Sequence, residues 1–263
     1  GMFGWRSSVF GVGLIGIGVA LALYATVRRN PEKAGLRPIE GVISPPDVSV
    51  SDVLTNTKTV LKERETWLMG ILLFFTLGAN FTVLGLWGVP YIVDLYGVSV
   101  TQASTYVLLG NLGLVVGPPI VGWVSDRLGM RTELIVGASL IFTLAYGVIA
   151  LTGVPPLFVV GIAFFVVMFL VGGFALTYTV VKELHPAEAS GTATGTINSI
   201  GYFGAAILPA VMGAVLDVFW TGETVAGARV YSLLGYRVAF SIATACGVIA
   251  LVCSVWLHFR TER

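Results

Sequence analysis

The sequence predicts an all-α polytopic membrane protein with seven transmembrane helices. Three observations predict it: the scarcity of charge, the length of the apolar runs and the one-sided placement of the basic residues. Hydrophobic residues make up 56% of the chain and charged residues 11%, against about 25% charged in an ordinary soluble domain. That is too little charge to cover a soluble surface, so the excess apolar surface must face lipid. The net charge of +1 says nothing about partners.

A bilayer core of about 30 Å needs about 20 apolar residues in a helix. Seven runs qualify, near 8–27, 67–93, 102–125, 134–152, 156–181, 190–216 and 238–257. None carries Asp, Glu, Lys or Arg well inside it. Short polar loops join most of them, which predicts one bundle.

The first run is too long for a cleavable signal peptide, and Arg28, Arg29 and Lys33 follow it in place of a small-residue cleavage site. The segment 28–65 is the one long connection on the side read below as cytoplasmic. It opens on Arg28-Arg29-Asn30-Pro31-Glu32 and passes through Pro45-Pro46. From about Ser51, Val53, Leu54, Val60 and Leu61 mark an apolar stripe between charges, which predicts an amphipathic helix on the membrane surface.

Loop charge sets the orientation. Twelve Lys and Arg fall on one side (28, 29, 33, 37, 58, 62, 64, 127, 131, 182, 260 and 263) and three, Arg6, Arg229 and Arg237, on the other. The first side is therefore expected to be cytoplasmic, with the N-terminus outside, the C-terminus inside and the chain multi-pass in the inner membrane. Trp67, Trp87, Trp123 and Trp220 fall near run ends or polar breaks, as interface anchors do.

Cys246 and Cys253 lie one heptad apart in one apolar run, too far for a disulfide within a helix. They read as packing residues. His185 and His258 sit at separate predicted helix ends. No metal, cofactor or nucleic-acid partner is expected, and the chain is not read as an enzyme.

An internal echo organises the runs. Gly4-Trp5-Arg6 opens the first and Gly235-Tyr236-Arg237 the last, and each run closes on a cytoplasmic arginine, Arg29 or Arg260, at the same distance. The first run then ends one repeat and the other six form a second, an arrangement found in transporters built from two parallel halves.

The loop after the third run reads Gly122-Trp123-Val124-Ser125-Asp126-Arg127-Leu128-Gly129-Met130-Arg131. It resembles the loop signature of the major facilitator superfamily, departing at Met130, where the family usually has a second arginine. Asp126 falls at a helix C-terminus, where the dipole disfavours a carboxylate, so it should have a cationic partner or a neighbouring helix N-terminus. Such a pair, made in one conformation and broken in another, is a gate. The gate residues are Gly122, Asp126, Arg127, Gly129 and Arg131. Asn30 to Leu36 resembles the central-loop entry of anion-transporting family members, and Gly85 to Tyr91 and Glu188 to Gly195 resemble the sugar-phosphate and organic-anion permease branch.

The resemblance implies that residues 1–29 are the last helix of an N-terminal half. Residues 30–65 are then a cytoplasmic linker and 66–263 a C-terminal six-helix half, with the N-terminal half and the lipid bilayer as partners. It implies alternating-access transport of a small, anionic organic solute, with a sensor or receptor on a transporter-like fold as the alternative. A retinal protein would need a lysine in the last run, and 238–257 has none.

A solute site in such proteins lies near the midplane. The polar and aromatic candidates are Asn80, Trp87, Tyr91, Asn111, Tyr178, Asn198 and Tyr202. Asn80, Leu84, Trp87 and Tyr91 fall on one face by helical spacing, with Thr177 a weaker candidate. An amide in hydrocarbon needs a partner, so each could instead join two helices. Gly113 and Gly117, and Gly191 and Gly195, have the spacing of close helix contacts. Pro118, Pro119 and Pro209 are expected to kink their helices. No ionisable residue lies at depth, which places anion or proton chemistry in the N-terminal half.

Overall fold

The computed structural model describes residues 5–27, 50–225 and 227–261. The chain forms two units, Gly1–Val48 and Ser49–Arg263. Gly4, Arg28 to Leu36, Pro45-Pro46 and Arg263, on which parts of the sequence reading rest, lie outside the described residues.

In the first unit, helix α1 spans Trp5–Thr26, 22 residues and about 33 Å at 1.5 Å per residue. It is apolar on every side, as a membrane span is.

The second unit is a helical bundle with one small hairpin. Its helices are α2 (Val50–Val60), α3 (Arg64–Thr82), a π-helical turn (Val83–Trp87), α4 (Gly88–Tyr96), α5 (Val100–Leu128) and α6 (Thr132–Thr152). Next come α7 (Leu157–Phe169), α8 (Val171–Leu184), α9 (Ala187–Val218), strands β1 (Trp220–Val225) and β2 (Ala228–Tyr231), and α10 (Leu233–Thr261). With α1, the described residues hold seven stretches long and apolar enough to cross a membrane, including Arg64–Tyr96 and Leu157–Leu184. They match the seven runs, each extended at one or both ends by polar helical turns. Helix α2 starts within a residue of the expected amphipathic stretch. It buries Val60 and packs on α9, leaving Val53, Leu54 and Leu61 exposed.

Three helix pairs carry the packing: α3 with α9, α6 with α10, and α5 with α7. Missing Cβ atoms explain two of these contacts. A Cβ on Gly204 would sit 1.9 Å from the Phe74 carbonyl oxygen, and one on Gly117 would sit 2.1 Å from that of Phe169. A Cβ on Gly113 would lie 2.3 Å from the Phe165 carbonyl oxygen. The Gly113/Gly117 expectation therefore holds. In α9 the close contact falls on Gly201 and Gly204 instead, because Gly191 and Gly195 meet nothing within 4 Å.

Two departures from regular helix follow. The fifth run divides at Leu170, and there Gly172 lies against the Gly117 carbonyl and Pro118. The second run carries the π turn. The three prolines sit inside continuous helices, Pro118 and Pro119 in α5 and Pro209 in α9. A two-stranded antiparallel hairpin, absent from an all-α reading, fills the link from α9 to α10. Cys246 and Cys253 are free and buried.

Candidate functional site

Asn80 is the central residue of the Arg64–Tyr96 span, sixteen residues from either end. Its carboxamide oxygen accepts a hydrogen bond from the Tyr146 hydroxyl of α6 at 2.8 Å, both groups buried. Its nitrogen is buried with no partner. Asn80 lines a cavity of about 220 Å³ with Phe81, Leu84, Gly85, Asn111, Leu114 and Met168 among its walls. Helices α3 and α5, the π turn and the α7–α8 break line it. Asn111 donates its own nitrogen to the Val107 carbonyl at 3.0 Å, one turn back.

The structure thus brings two of the seven candidates into one cavity and disperses the rest. The π turn explains part of that. A turn closed by i→i+5 bonds inserts a residue, so Trp87 and Tyr91 leave the face that Asn80 and Leu84 share. Tyr91 is fully buried and its hydroxyl donates to the Gly153 carbonyl at 2.9 Å. Trp87 is half-buried and packs edge-on to Tyr231 of the hairpin at 5.6 Å. Tyr178 donates to the Asn198 oxygen at 2.7 Å, joining α8 to α9. Tyr202 is 54% exposed and tilts against Phe81. The Thr177 hydroxyl is spent on the Phe174 carbonyl.

Charge gathers at both ends of the bundle. At one end Gly129 closes α5 at φ +69°, a left-handed cap that glycine adopts without strain. The chain then turns so that Arg131 reaches Glu183 at the end of α8 at 2.8 Å and Asp126 at 3.6 Å. Arg127 stacks over Trp123 at 5.2 Å. Gly122 meets nothing within 4 Å. Nearby, Thr132 bonds His258 at 2.8 Å, and Arg260 pairs with Glu65 across α10 and α3.

At the other end Asp94 accepts from the Tyr236 hydroxyl at 2.7 Å and from the Tyr231 backbone at 3.2 Å. Asp217 pairs with Arg229 at 2.7 Å and accepts from the Tyr231 hydroxyl at 3.1 Å. These bonds hold the hairpin on the ends of α4, α9 and α10. Burial first, and the bond to Asp217 second, push the Tyr231 phenol above its usual range. Arg237 donates to the Ala150 and Leu151 carbonyls, closing the C-terminus of α6.

Sequence reasoning missed Asp94, Asp217 and Glu183. The signal was present: each sits, like Asp126, near a helix C-terminus where a carboxylate needs a cation or donor, and each has one.

The Major Facilitator Superfamily model matches residues 1–209. A membrane sensor protein, UhpC, of Salmonella typhimurium is 29% identical over 99% of this chain and 58% of its own. A probable hexose phosphate transport protein of Chlamydia trachomatis is 29% identical, over 85% of this chain and 54% of its own. A glycerol-3-phosphate transporter of Bacillus subtilis is 26% identical, over 83% and 52%. The chain spans about half the length of these relatives.

Proposed function

Because this chain belongs to the major facilitator superfamily, we propose that it forms part of a carrier moving a small organic anion across the cytoplasmic membrane by alternating access. One observation carries the reading: a midspan cavity at Asn80 and Asn111 lies between two charged closures. The phosphorylated solutes named for two of the relatives support an organic anion as the class.

In this reading residues 66–263 are the C-terminal half, α1 is the last helix of the N-terminal half, and 30–65 links them. The length of the relatives supports a complementary half as the partner. The basic residues support a cytoplasmic C-terminus and an outer N-terminus of this segment. The Asp126–Arg131–Glu183 cluster is then the cytoplasmic gate, and the hairpin with Asp94 and Asp217 closes the outer side. The chain carries solute and makes no covalent change to it.

Uptake of labelled organic anions by liposomes holding the complete protein tests this. Saturable uptake supports it, and no flux under any gradient rejects it. A second reading, a solute sensor on the same fold, is supported by the sensor protein's match along 99% of this chain. Saturable binding without flux favours it.

A further inference from the structure

The corner where α2 meets α3 carries an apolar edge that no described residue covers. Val60 of α2 is buried on the bundle, and Asn56 and Thr57 beside it are half-covered. On the adjoining flank Leu54 is 58% exposed and Leu61 37%. Leu54, Lys58, Leu61 and Lys62 follow the i, i+4, i+7, i+8 spacing of one helical flank. The helical bonding reaches Leu61, whose N–H donates to the Thr57 carbonyl at 2.9 Å. Thr55 and Thr59, both exposed, lie on the outward side. The helix therefore has three strips: one on the bundle, one polar, and between them an apolar edge bordered by two lysines.

Depth decides what meets that edge. Three residues, Leu61 to Glu63, join α2 to α3, and the Arg64–Tyr96 span begins there. The last turn of α2 is thus held at the boundary between membrane and water. Trp67, one turn into the span, is 46% exposed, and its indole N–H donates to the Leu61 carbonyl at 2.9 Å. That bond ties an exposed indole to the end of α2, and an indole at a span end sits at headgroup level. Charge agrees. Lys58 and Lys62 are exposed and form no ion pair among the described residues. Arg64 is a third exposed cation and Glu63 the exposed anion beside it, while Glu65 is taken by Arg260. Cations outnumber anions on the exposed corner. An apolar edge with a basic border is the surface that anionic lipid headgroups attract.

We propose that the α2–α3 corner docks on anionic phospholipid of the leaflet at that end of the bundle. Leu54, Leu61 and Trp67 enter the boundary between headgroups and acyl chains, and Lys58 and Lys62 take the phosphate groups. The docking holds whichever solute the protein binds.

The test places a bimane label at Leu54→Cys in the complete protein in liposomes, with Thr59→Cys on the outward side as control. Cys246 and Cys253 are buried. Quenching is read with brominated phosphatidylglycerol, brominated phosphatidylcholine and aqueous acrylamide. The Leu54 label is expected to be quenched by bromolipid, phosphatidylglycerol above phosphatidylcholine, and the Thr59 label by acrylamide. Each lysine near an anionic surface contributes about 1 kcal/mol, a factor of about five. Lys58→Gln/Lys62→Gln therefore lowers the phosphatidylglycerol preference at Leu54 at least fivefold and leaves the melting temperature unchanged. A Leu54 label shielded from lipid and acrylamide alike means that protein covers the edge, and overturns the docking. Quenching at Leu54 by acrylamide alone does the same. Equal quenching by the two lipids, or a preference unchanged in the double variant, overturns the anionic class.

Discussion

Replacing Gly204 by alanine forces α3 away from α9. The new Cβ would lie 1.9 Å from the Phe74 carbonyl oxygen and 2.6 Å from its carbon, where ordinary contact begins near 3.4 Å. The obstacle is backbone, so no rotamer relieves it, and the helices must open by about 1.5 Å. These two helices form the largest contact in the bundle. Overpacking costs about 1–3 kcal/mol, and a clash with backbone falls at the upper end. The melting temperature shifts by about 2–4 °C per kcal/mol at 150–250 residues and by about half of that at twice the length, so that of the complete protein falls by about 3–6 °C. Gly137→Ala is the control, since a Cβ there meets nothing within 4 Å and alanine favours helix. Its melting temperature holds or rises. Scanning fluorimetry of the complete protein in detergent measures both. A Gly204→Ala protein as stable as wild type, or an equal loss in Gly137→Ala, refutes the close-contact account.

Tyr146→Phe strips the Asn80 carboxamide of its one bond and leaves a buried oxygen unpaired, at about 1–3 kcal/mol; thermal melting detects it, and an unchanged midpoint counts against the pairing. Arg131→Gln removes the links to Glu183 and Asp126. Exposed pairs contribute about 0.2–1 kcal/mol, so melting shifts little while uptake slows. The gate role fails if flux is unchanged. The Tyr231 phenol, raised from 10.0 by burial and then by Asp217, keeps its proton longer in the folded protein than in the unfolded chain. Its contribution is complete below pH 10 and declines as pH rises through the raised value. Tyr231→Phe removes that part of the alkaline loss, seen by comparing melting curves of the two proteins, and identical slopes would refute it.

The spans were legible because lipid imposes a long apolar run on each, and the Asp126 loop because its charges must sit outside that run. The Gly113/Gly117 contact was legible from spacing, but spacing could not choose between Gly191/Gly195 and Gly201/Gly204. That choice depends on which face of α9 meets α3. The π turn left no mark, since Val83-Leu84-Gly85-Leu86-Trp87 reads as ordinary apolar helix, yet it decided which candidates share the cavity. The Leu170 break follows from the Gly117–Gly172 contact, a long-range fact. The hairpin did carry a signal: β-branched and aromatic residues flank Gly227, at φ +83°. Tyr146 was not legible as a partner of Asn80, since nothing local ties α6 to α3.

The proposed transport requires solute to cross a membrane through this bundle and its complementary half. Counterflow of a labelled organic anion in liposomes holding the complete protein tests that directly. The prediction is saturable exchange, slowed by Arg131→Gln and blocked by substitutions at the Asn80 cavity. Saturable binding with no exchange across the bilayer would contradict it.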